Sequence, residues 1–159
     1  MILAGLKFVH IAALLGWCAA LIALPVMLTI YGQARRQATY AEFRLITHFG
    51  YIGFATPAAV VAVGSGIALI FAAQVFDLWF AAKLAFVSLM ALVHAWIGHL
   101  ILQSGEGEGT YRMPPAILGL LVGIPAMAAV FWLVLAKPDL TGLTDFVPEV
   151  FLAPLGDRP

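Results

Sequence analysis

The chain has 159 residues, 64% of them hydrophobic and only 10% charged, with a mean hydropathy of +1.04. A soluble domain carries roughly a quarter charged residues, and a globule of this length cannot hide so much apolar side chain behind so few charges. Composition therefore excludes a soluble domain and predicts an integral membrane protein. A formal net charge of zero gives no nucleic-acid-binding footprint. A single cysteine, Cys18, excludes an intramolecular disulfide and a cysteine-cluster metal site.

A helix crossing the hydrocarbon needs about 20 apolar residues. Four stretches qualify, at about 3–31, 46–73, 78–103 and 114–136. The first outlasts the roughly 7–15 residues of a signal-peptide core and has no basic segment before it, so it is expected to be a retained helix. The first connection, GQARRQATYAEFR, reads as a loop carrying Arg35, Arg36 and Arg44. The second has only Asp77, and the third, SGEGEGTYRM, carries Arg112. By the positive-inside rule the first and third loops are cytoplasmic and both termini face out. GEGEG has neither the preceding strand nor the following lysine of a phosphate loop, and reads as a hydrophilic turn. Gly119 and Gly123, spaced small-xxx-small, predict close approach of a neighbouring helix.

The expected fold is all-α: a multi-pass bundle of four transmembrane helices in a bacterial inner membrane, with both termini on the periplasmic side. Residues 1–138 form the bundle. Residues 139–159 form an acidic and apolar tail, too broken by Pro148 and Pro154 for a fifth span and suited to the membrane surface or to a partner.

All eight acidic residues lie in loops, boundaries or the tail. The ionisable residues inside the spans are few: His10 in the first and Lys83 and His94 in the third, with Lys7, His48 and His99 nearer the boundaries. Such residues are expensive in a membrane, usually face the bundle interior and carry a functional hypothesis by default. At about 1.5 Å per residue, His10 lies roughly 10 Å and Lys83 roughly 8 Å below the outer ends of their helices. The two share a layer, and His48, His94 and His99 form an inner group, in which His99, five residues beyond His94, points elsewhere, toward the interface.

Lys83, Val87, Met90 and His94 fall on one helical stripe, and Lys7, His10, Leu14 and Trp17 on another. The two stripes are predicted to face each other across a cavity. Neutral imidazole ligates haem iron, and bundle cores hold cofactors between facing helices. A lysine without a carboxylate partner in the spans suits a porphyrin propionate or a water-filled pocket. The plainer alternatives are a histidine hydrogen-bonded to a neighbouring helix and a lysine snorkelling to the interface. Met90 is a further metal-ligand candidate, though methionine is usually core filler. Trp17 and Trp96 read as packing or belt residues.

The same residues carry a resemblance. LKFVHIAALLGWCAALIALP resembles the first helix of the HemJ-type membrane protoporphyrinogen oxidases, and ITHFGYIGFATPA is similar to that family's Thr-Pro-Ala stretch. DLWFAAKLAFVSLMALVHAW carries a similar Trp, Lys-Leu and His-Trp series, and YRMPPAI followed by VLAKP looks like its last helix. The likeness spans about residues 3–138 in order. It implies four spans, haem b on His10, and a functionally required lysine at Lys83. The chain departs from the family where YGQA lacks a Tyr-His pair and following acid. EFRLITH keeps Glu42 and Arg44 in altered spacing, and Met113-Pro114-Pro115 replaces an Asn-Glu pair. CopD-like copper-resistance proteins share the general architecture.

Three functions are therefore expected in order. The first is a haem-b redox enzyme oxidising protoporphyrinogen IX and passing electrons to a membrane acceptor. In it His10 and Lys83 are catalytic, His10 and His94 are the metal ligands, and His48 is a further cofactor contact. The second is a non-catalytic small subunit or assembly factor of a larger membrane redox complex, or a homo-oligomer, joined through helix faces and the tail. The third is copper transport through His and Met ligands.

Overall fold

The computed structural model describes residues 2–31, 37–73, 78–104 and 115–138. The apolar runs become long helices because a backbone in lipid has to satisfy its own polar groups, which a helix does within one segment. Helix α1 spans Ile2–Tyr31 and α2 spans Gln37–Gly50. A π-helical turn at Tyr51–Ala55 leads without a break into α3, Thr56–Ala73. Helix α4 covers Leu78–Gln103 and α5 covers Ile117–Ala136. Counting α2, the π turn and α3 as one rod, four helices are long and apolar enough to cross a membrane. The chain thus has the architecture of a multi-pass membrane protein, and no strand occurs among the described residues.

One expected boundary moves. The first connection was read as a loop through Arg44, yet α2 begins at Gln37 and carries Glu42 and Arg44 as exposed helical residues. The segment is amphipathic rather than apolar. Phe43 and Thr47, one turn apart, are buried, while their neighbours face outward. A hydropathy reading sees the polar residues and stops early; packing of the Phe43–Thr47 edge against the bundle is what extends the helix. Arg35, Arg36, Asp77, Arg112, the GEGEG turn and the tail lie outside the described residues.

The π turn sits where the sequence leaves a hole in the hydrogen-bond ladder. Pro57 has no N–H to give, and the preceding Thr56 N–H reaches back five residues to the Tyr51 carbonyl. Helix α5 ends on Lys137 in a left-handed conformation (φ 40°), whose N–H bonds the Leu133 carbonyl before Pro138 ends the helix.

Helix α1 packs along α3 and also touches α5 and α4, while α4 packs along α5. The core runs through Trp17, Leu21, Leu24, Met90, Ile97, Leu100 and Val130. Gly119 and Gly123 are both buried. A Cβ on Gly119 would lie 3.3 Å from the Trp96 ring and 3.6 Å from Pro25, so the small-residue spacing does bring helices close.

Lipid is as apolar as leucine, so burying a side chain between these helices contributes packing rather than transfer from water. Leu21 is 1% exposed and Leu15, on the same helix, 55%. Leu21→Ala is expected to cost about 2 kcal/mol through the cavity it leaves, and Leu15→Ala less than about 0.5 kcal/mol. Unfolding of the purified protein in mixed micelles checks this; equal losses would mean that α1 faces another way.

Candidate functional site

His10, Leu14 and Trp17 of α1 line one cavity together with Ala62 and Gly66 of α3 and Lys83 and Val87 of α4. Its volume is about 70 Å³. The expected meeting of two polar stripes is therefore present for His10 and Lys83, while Lys7 is exposed outside it. Val63, Ile67 and Leu84 also line the cavity and are exposed at its side, so the space opens laterally between α3 and α4.

The imidazole of His10 is held by one nitrogen. Nδ1 lies 2.9 Å from the Ala62 carbonyl oxygen and 3.2 Å from Ser65 Oγ. A carbonyl only accepts, so Nδ1 carries a proton, and in the neutral ring Nε2 then keeps its lone pair. Nε2 has no hydrogen bond among the described residues, yet no buried side-chain nitrogen there lacks a partner. Nε2 therefore reaches open space. Gly66 makes this possible: a Cβ there would stand 3.0 Å from the imidazole Cε1. Lys83 is half-buried, and its ammonium has no hydrogen-bond or ion-pair partner among the described residues.

His94 is held in the opposite way. Trp17 Nε1 donates to its Nδ1 at 3.4 Å, and Thr56 Oγ1 lies 3.4 Å from its Nε2. An indole N–H can only donate, so Nδ1 is the acceptor and Nε2 carries the proton toward Thr56. Tyr51 stacks on the ring, with centroids 4.7 Å apart and planes at 20°, and its hydroxyl donates to the His94 carbonyl at 3.3 Å. Both ring nitrogens are engaged. In an α-helix, residues five apart point about 140° from one another. The i→i+5 closure of the π turn brings Tyr51 and Thr56 to the same face, where both meet His94. Gly98 completes the fit, since a Cβ there would overlap the Tyr51 phenol.

The histidines are thus divided among three places. His10 shares a cavity with Lys83. His94 lies at the level of Trp17, seven residues or about 10 Å along α1 from His10, too far for both to bind one ion at about 2 Å. His48 and His99 are exposed and line a second pocket of about 370 Å³ between the π turn and α4, together with Tyr51 and Gly98. Met90 is fully buried and lines neither pocket. Among the described residues no three His, Cys, Asp or Glu side chains come together as a metal cluster.

Sequence reasoning did not find Tyr51, Thr56, Ser65, Gly66 or Gly98, and left Trp17 as packing. The only local signal was the Thr-Pro at 56–57, which marks the disturbed ladder but not what turns toward it.

Nitrogen-15 NMR of histidine-labelled protein should show His10 as the Nδ1–H tautomer and His94 as the Nε2–H tautomer; a shared tautomer would contradict one of the two anchors. Gly98→Ala should displace Tyr51 and cost about 1–3 kcal/mol through overpacking, read as a lower melting temperature. Gly64→Ala, which meets nothing within 4 Å, is expected to leave it unchanged within error.

No family model, no curated protein and no solved structure matches the chain.

Proposed function

We propose that the chain is a haem-b-binding membrane redox protein of the HemJ-like type. In this reading it lies in a bacterial inner membrane with both termini outside, oxidises protoporphyrinogen IX, and passes the electrons to an acceptor in the membrane. One observation carries the reading: His10, anchored through Nδ1, shares a cavity with Lys83, and neither Nε2 nor the ammonium has a partner among the described residues.

The donor set suits the cofactor. An imidazole whose far nitrogen is tied to a backbone carbonyl has its tautomer and orientation fixed and its ligating nitrogen made more basic. Haem iron is commonly ligated by such a histidine. An ammonium in an apolar wall suits a propionate or another carboxylate. Bound there, haem b supplies one-electron chemistry. The chain itself orients the imidazole through Ala62 and Ser65, leaves room for it at Gly66, and offers a cation at Lys83. Its apolar walls exclude bulk water.

The cavity of about 70 Å³ holds only a few waters at about 30 Å³ each. Sites for small molecules usually measure about 300–1,000 Å³. Binding a macrocycle therefore requires α3 and α4 to separate at the lateral opening beside Val63, Ile67 and Leu84. His94 plays a positioning part in this reading, because its nitrogens are engaged by Trp17 and Thr56.

A reduced-minus-oxidised visible spectrum of the purified protein tests the proposal. Wild type should give a b-type signal and His10→Ala should lose it. Lys83→Met should keep ligation but retain haem less well, while His94→Ala should keep the signal in a less stable protein. A well-folded wild type without haem would remove the reading. Complementation of a strain lacking protoporphyrinogen oxidase separates the enzyme from a non-catalytic subunit: a haem-bearing protein that fails there favours the subunit.

A further inference from the structure

We propose that the pocket between the π turn and α4 is a binding site for the head of a lipid-soluble quinone. The pocket of about 370 Å³ lies within the range of about 300–1,000 Å³ for small-molecule sites, several times the size of the cavity beside His10. Among the described residues it is lined by the imidazoles of His48 and His99 and by Tyr51, with no lysine, arginine or carboxylate. The rest is apolar, including Ile52 and Leu102, which are 54% and 65% exposed and form an outward rim. In a helix that spans a membrane such a rim faces acyl chains, so the occupant arrives through the lipid.

The donor set selects among lipid-borne ligands. An anionic headgroup is recognised by lysine or arginine clusters, and among the described residues none lines this pocket. A quinone is uncharged, planar and edged by two carbonyl oxygens that accept hydrogen bonds when oxidised and donate them, as hydroxyls, when reduced. An imidazole meets both states, because one ring nitrogen donates and the other accepts. Helices α2 and α4 each bring one imidazole to the pocket, one candidate partner per carbonyl. The Tyr51 ring, fixed against His94 at 4.7 Å, adds an aromatic wall to the pocket.

The same ring links the pocket to the rest of the bundle. Tyr51 stacks on His94, His94 accepts from Trp17, and Trp17 lines the His10–Lys83 cavity. That the bound quinone is the electron acceptor rests on the function proposed above. Each quinone then takes two electrons and two protons, becoming the quinol, for every two-electron, two-proton oxidation of the porphyrinogen. The binding itself does not depend on that reading.

Full-length protein in nanodiscs, photolabelled with an azido-ubiquinone of short tail, tests the site. Mass spectrometry should place the label on peptides containing His48 and His99. Decylubiquinone should compete it away, and labelling should fall at least tenfold in the His48→Leu/His99→Leu double variant. Ala95→Phe, which fills the pocket from an exposed position, should block labelling equally, and His99→Gln should keep most of it. Label spread over all lipid-facing helices and insensitive to decylubiquinone would overturn the proposal. So would competition by an anionic phospholipid but not by the quinone. A protein lacking any haem signal that still takes competable label here would support the site while removing the redox reading.

Discussion

Four apolar helices in lipid gain little from hydrophobic attraction to one another, so their mutual arrangement depends on close packing and on the few polar contacts between them. His94 concentrates those contacts. Its ring takes an N–H from Trp17 of α1, gives one toward Thr56 at the start of α3, and lies flat on Tyr51 of the π turn. Three of the four spans therefore meet on one imidazole. Each of its polar atoms would otherwise be stranded in an apolar medium, where an unpaired group costs more than a paired one contributes.

The π turn follows from the same constraint. Pro57 removes a donor, and the ladder closes instead through the longer Thr56-to-Tyr51 bond. Closing it that way rotates Tyr51 and Thr56 onto one face, and the face they acquire is the one that holds His94. The backbone irregularity and the side-chain cluster thus stabilise each other. Gly98 lets the phenol lie against the α4 backbone, which keeps the cluster thin enough for α2 and α4 to remain in contact.

Two openings of different character, among those the described residues form, bear on function. The one toward the His10 end is small, opens sideways, and holds an imidazole nitrogen and an ammonium that have no partner among the described residues. The one between the π turn and α4 is larger and is lined by two imidazoles and the Tyr51 ring, with no lysine or arginine among the described residues. His10 and His94 show how one residue type is put to two uses. A carbonyl partner fixes the proton on Nδ1 of His10 and frees Nε2. An indole partner takes the lone pair of His94 Nδ1 and leaves nothing for a ligand.

The sequence by itself determined the number of spans, their limits to within a few residues at most ends, and the shared layer of His10 and Lys83. Each of these follows from local quantities: apolar run length, rise per residue and helical periodicity. It failed at Gln37–Leu45, where amphipathic packing rather than hydropathy makes the helix. Depth placed His94 in a layer with His48 and His99, and helical periodicity separated only His99 from it. Only the tertiary structure decided that Trp17 and Thr56 occupy both nitrogens of His94, that Ser65 and Ala62 anchor His10, and that Gly66 and Gly98 leave space for the rings beside them. Those are contacts between residues 38 to 77 positions apart in the His94 set and 52 to 55 apart in the His10 set. No local pattern encodes them, because which nitrogen of an imidazole is free depends on what another helix brings to it.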